Sequence, residues 1–122
     1  MERVLVIDDD TQMRYLVTQI LEREGHKVTA ACDGEEGLLL FEQEKPDLVI
    51  TDIVMPKTEG LKAIRQMILL DNSTPIIAIS GGGRHFNGQD LLPLAKMFGA
   101  KATLAKPFTK AELIQVVREV LS

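Results

Sequence analysis

Five short apolar runs, each followed by a segment of helical spacing, constrain this chain more than any single residue does. The runs are Val4–Ile7, Val28–Cys32, Leu48–Ile50, Ile76–Ile79 and the weaker Ala102–Ala105. Thr11–Glu24 follows the first and puts Met13, Leu16, Val17, Ile20 and Leu21 on one helical face. Glu35–Glu44 offers Leu38, Leu39 and Phe41 to a core, and Leu61–Leu70 offers Ile64, Met67 and Ile68. Leu91–Phe98 is the fourth predicted helix, and Ala111–Leu121 is the fifth, with Leu113, Val116, Val117 and Val120 inward. Gly25, Pro46 and Gly99 stand where such helices stop. Repeated β-α alternation predicts a parallel sheet with helices on both faces, an α/β fold. Right-handed crossovers then bring the C-terminal end of every strand to one edge, where ligands bind in such sheets.

The 122 residues suit one domain, expected to span 1–122, and 45% apolar content supplies a core for it. A net charge of −4 without any basic block argues against nucleic acid or an anionic membrane as partner. Cys32 is the single cysteine, so no internal disulfide forms, and a cytoplasmic location is expected. No apolar run approaches the roughly 18 residues of a membrane span, and no signal peptide is visible. Cys32 itself reads as a small buried hydrophobe.

Four of the strands end on reactive polar side chains: Asp8 and Asp9 after the first, Asp52 after the third, Ser80 after the fourth and Lys106 after the fifth. Polar residues commonly follow strands, but this set converges on one edge in the predicted fold. Two carboxylates about 5 Å apart repel by roughly 3 kcal/mol at an effective dielectric of about 20. Lys106 supplies one compensating charge, and Mg²⁺, which favours carboxylates, a carbonyl and water, supplies two. Such a site suits phosphoryl transfer, with Asp52 as nucleophile because it stands apart from the Asp8–Asp9 pair.

The segments VLVIDDDTQMR, TDIVMPKTEG, IIAISGG and LAKPF, in that order, resemble the receiver domain of two-component response regulators, the CheY-like family, across essentially the whole chain. The resemblance implies a flavodoxin-like (βα)₅ fold with strand order 2-1-3-4-5. It implies Mg²⁺ held by Asp8, Asp9, Asp52 and the Val54 carbonyl, phosphorylation of Asp52, a switch hydroxyl on Ser80 and an invariant-type Lys106. It also implies a cis Lys106–Pro107 peptide, a sensor histidine kinase or histidine phosphotransfer protein as donor, and a downstream protein target or a further output domain. The expected output surface is the fourth helix, fifth strand and fifth helix. Asp10 is expected to be solvated and Thr11 to cap the first helix.

Three departures from the family pattern stand out. Thr103 occupies the fifth strand where an aromatic reporter is common. The stretch from Ser80 to Gly99 is a few residues longer than is usual in the family and carries Gly81, Gly82, Gly83, Arg84, His85, Phe86 and Asn87. Val54 has no polar side chain to orient an attacking water, so slow self-dephosphorylation is expected. Two other functions stay open on sequence. One is a haloacid-dehalogenase-type phosphohydrolase, whose opening Asp8-Asp9-Asp10-Thr11 mimics, although Gln12 departs from that motif. The other is a pseudo-receiver that only docks proteins. Self-catalysed phosphorylation without turnover of a free substrate separates the leading reading from an enzyme.

Overall fold

The computed structural model describes residues 2–53, 59–81 and 95–122. Strand β1 (Arg3–Ile7) leads to helix α1 (Thr11–Arg23), then β2 (Lys27–Ala31) to α2 (Gly34–Glu44) and β3 (Leu48–Asp52) to α3 (Glu59–Leu70). Strand β4 (Ile76–Gly81) is followed by a helical stretch at 95–98, α4, then β5 (Ala102–Lys106) and α5 (Lys110–Leu121). The five strands form one parallel sheet in the order β2-β1-β3-β4-β5, as the resemblance implies. No helix among the described residues is long and apolar enough to cross a membrane.

Strand alternation divides the core in two. Val4, Val6, Leu48, Ile50, Ile77 and Ile79 turn to the face covered by α1 and α5, where they meet Val17, Leu21, Leu113 and Val117. Leu5, Ile7, Val49, Ile76 and Ala78 turn to the other face, against Phe41, Ile64 and Met67. The central β3 is buried along its whole length, which explains why its run is continuously apolar rather than alternating. α1 ends at a Glu24 cap followed by Gly25 at φ 93°, a left-handed turn that favours glycine.

Four sequence expectations change. Leu16 is 47% exposed and Leu39 56%, because each helix buries a narrower stripe than its apolar content allows. Cys32 is exposed, since it lies one residue past β2, the edge strand of the sheet. The cap of α1 is Asp10, not Thr11: the Asp10 side chain accepts from the amides of Gln12 and Met13, and Thr11 is already helical. Asp10 is solvent-exposed as expected. Val54, Met55-Pro56, residues 82–94 with His85, and the Leu91 start of the fourth helix lie outside the described residues.

Candidate functional site

Parallel register sets the site. Ile7 pairs with Thr51, Asp52 with Ile79, Ser80 with Ala105 and Gly81 with Lys106. The residues that follow or close β1, β3, β4 and β5 therefore meet at one edge of the sheet. Asp8 is 3% exposed, Asp52 4% and Ser80 0%, whereas Asp9 is open to solvent. One carboxylate oxygen from each of Asp8, Asp9 and Asp52 lies within 4.8 Å of the others.

Lys106 closes this cluster from the far strand. Its Nζ donates to Asp52 Oδ2 at 2.7 Å and approaches Asp8 Oδ2 at 3.4 Å. Burial alone would lower the Lys106 pKa, but the hydrogen bond and charge of Asp52, with those of Asp8, raise it above its ordinary value. The Asp8 carboxyl moves up as well: burial is the main cause and the Asp52 charge adds to it. The Asp10 amide, which donates to Asp8 Oδ1 at 2.9 Å, and Lys106 oppose the rise without cancelling it. Three carboxylates and one ammonium leave two negative charges at the site. That donor set, all oxygen and short of two positive charges, fits a hard divalent cation.

Ser80 faces the same edge. Its Oγ is buried and has no hydrogen-bond partner among the described residues. A buried orphan hydroxyl costs about 1–3 kcal/mol, and such groups concentrate where a ligand supplies the missing partner. The Lys106–Pro107 peptide is cis, in agreement with the sequence reading. Thr103 lies half-buried in β5.

Two features escaped the sequence reading. Arg14, on the first turn of α1, donates from Nη1 to the Asp8 carbonyl at 2.8 Å. Gly60, on the first turn of α3, lets that helix approach the backbone of Asp52 and Ile53. A Cβ there would lie 2.5 Å from Ile53 Cα and 2.6 Å from the Asp52 carbonyl oxygen. Beside the site, the Cys32 thiol is pushed up in pKa by desolvation and by Glu36 and Asp33, with the Arg14 charge opposing, so it is a poor thiolate source.

A family model described as the response regulator receiver domain matches residues 4–118. Protein PilH of Pseudomonas aeruginosa is 34% identical over 124 residues, covering 100% of this chain and 99% of PilH. A probable transcriptional regulator, ycf27, of Guillardia theta is 40% identical over 120 residues, 98% of this chain but 45% of that protein. The chain thus spans about half the length of some curated relatives and nearly all of others. The receiver domain of NtrX from Brucella abortus superposes with a TM-score of 0.88 at 31% identity, covering 97% of each chain. With the ordered strand-end residues, these likenesses show that the chain belongs to the response regulator receiver domain family.

Proposed function

We propose that residues 1–122 form one receiver domain that works as a phosphoacceptor switch. Asp52 accepts a phosphoryl group from the phosphohistidine of a sensor histidine kinase or histidine phosphotransfer protein. The observation that carries this reading is the Lys106 ammonium set between two buried carboxylates, Asp52 and Asp8, from strands far apart in sequence.

In the transfer, an Asp52 carboxylate oxygen attacks phosphorus. The bond from phosphorus to the donor's ring nitrogen breaks, and the nitrogen leaves with the electron pair. Lys106 neutralises charge on the phosphoryl oxygens, and the Ser80 hydroxyl donates to one of them, satisfying an Oγ that otherwise has no partner among the described residues. Asp8, Asp9, Asp52 and the Val54 carbonyl would hold Mg²⁺. When bound, the metal supplies further neutralisation of the phosphoryl oxygens. The domain modifies itself rather than turning over a free substrate. Val54, which offers no group to orient water, supports a long-lived acyl phosphate. The phosphorylated state is read by a downstream protein or output domain through the α4, β5 and α5 surface, in a cytoplasmic setting.

Intact-mass spectrometry after acetyl phosphate and Mg²⁺ tests the reading. One phosphoryl group on the wild type and none on Asp52→Asn is the expected result. No labelling of the wild type would favour a docking-only pseudo-receiver, and continuous release of phosphate from small esters would favour a phosphohydrolase.

A further inference from the structure

Asp9 is the one acid of the cluster that projects to solvent, and no side-chain partner orients it among the described residues. Its direction is set by its two flanking peptide units. The unit after it is held by the Asp10 amide, which donates to Asp8 Oδ1 at 2.9 Å. The unit before it presents the Asp8 carbonyl, which accepts from Arg14 Nη1 at 2.8 Å in a half-buried setting. The same arginine donates its backbone amide to the Asp10 carbonyl at 2.9 Å. One residue on α1 therefore grips the acidic turn on both sides of Asp9, by main chain at one end and guanidinium at the other.

We propose that Arg14 is a positioning residue of the acidic site, fixing through the Asp8 carbonyl the direction in which Asp9 presents its carboxylate to a divalent cation. This rests on the reading of Asp8, Asp9 and Asp52 as the metal-holding set. Arginine suits the task. Helical side chains lean toward the helix N-terminus, so one on the first turn reaches back over β1's end. Its charge is permanent, and its guanidinium holds the main-chain carbonyl of Asp8 rather than a carboxylate. The ammonium of lysine keeps the charge but replaces the planar fork with a single compact, more strongly hydrated donor head. Groups that orient metal ligands in this indirect way are typically worth about 10- to 100-fold in metal affinity.

The test compares wild type, Arg14→Gln and Arg14→Lys by Mg²⁺ titration calorimetry, by ¹⁵N order parameters of Asp9 and Asp10 without metal, and by thermal melting. Arg14→Gln is expected to bind Mg²⁺ about tenfold more weakly and to lower the order parameters at Asp9. Arg14→Lys should recover part of the affinity. Acetyl phosphate labelling of Arg14→Gln should approach the wild-type rate once Mg²⁺ is saturating. A merely structural role would shift melting and leave the affinity of the folded protein alone. Affinity within twofold of wild type in Arg14→Gln, with Asp9 order unchanged, overturns the role of Arg14 while leaving the metal site intact. A wild type that takes up no Mg²⁺ overturns the site reading and this proposal together.

Discussion

Lys106 Nζ sits 2.7 Å from Asp52 Oδ2 although the two stand 54 positions apart in the chain. The contact spans two strand positions, since β4 lies between β3 and β5. Lys106→Met keeps the stem and removes the charge. It leaves Asp8 and Asp52 buried without their ammonium, and removes the charge that the proposed transfer sets against the incoming phosphoryl group. The expected result is about a hundredfold slower labelling by acetyl phosphate, followed by intact mass against time at fixed Mg²⁺. Labelling within threefold of wild type would contradict the role given to this lysine.

Ser80 makes an opposite pair of demands. Its Oγ is buried and has no partner among the described residues, so Ser80→Ala removes a desolvated polar group and little packing. The metal-free, unphosphorylated variant should be more stable by about 1 kcal/mol, a rise of about 4 °C in melting temperature for a domain of this size. Phosphorylation should still occur but more slowly, and spectral changes in β4 and β5 on phosphorylation should shrink. Calorimetry and two-dimensional NMR check the two halves separately.

Strand-end chemistry is legible in the sequence because each site residue stands directly where an apolar run stops. Asp8, Asp52, Ser80 and Lys106 need only a parallel sheet to bring them together, and alternation of runs and helices implies that sheet. Helix surfaces are less legible. Asp10 and Thr11 are both competent caps, and which one serves depends on where the first turn begins. Leu16 and Leu39 fit the helical period yet lie beyond the stripe the sheet can cover. Arg14 looks like an ordinary solvated charge on an amphipathic helix, and only the backward lean of its side chain onto the end of β1 gives it a partner.

Asp8 carries a pH dependence of stability. Its folded-state pKa is raised above the ordinary 3.8, burial being the first cause. Between that ordinary value and the raised one, the folded protein holds a proton that the unfolded chain has lost. Stability from this group is therefore greatest below pH 3.8 and declines as pH rises through the folded value. Asp8→Asn removes the decline, so in the presence of a chelator it should be more stable than wild type at pH 7. The advantage should fade as pH falls toward 3.8. Adding Mg²⁺ should stabilise the wild type more than the variant. Urea denaturation across pH, with chelator or Mg²⁺, measures all three trends; a variant less stable than wild type at pH 7 without metal would contradict them.

Gly60 and Gly37 give a paired test of how packing reaches the site. A Cβ at Gly37 would meet the Cδ1 end of Ile7 and, at 2.9 Å, its Cγ1, side-chain atoms rather than backbone. Gly37→Ala is therefore expected to cost about 1 kcal/mol and to leave the labelling rate of Asp52 within twofold of wild type. At Gly60 the obstruction is backbone: Ile53 Cα at 2.5 Å and the Asp52 carbonyl oxygen at 2.6 Å, neither of which can rotate away. Gly60→Ala must push α3 off the end of β3 or shift Asp52 itself, at a cost of about 2–3 kcal/mol. Because Asp52 lies within hydrogen-bond distance of Lys106, such a shift loosens the shorter of the two ion pairs that Lys106 makes with the buried carboxylates. The Gly60 variant should lose both stability and at least tenfold in labelling rate, measured at a temperature where chemical denaturation shows it fully folded. Equal labelling by the two variants under that condition would mean that α3 packing does not set the position of Asp52.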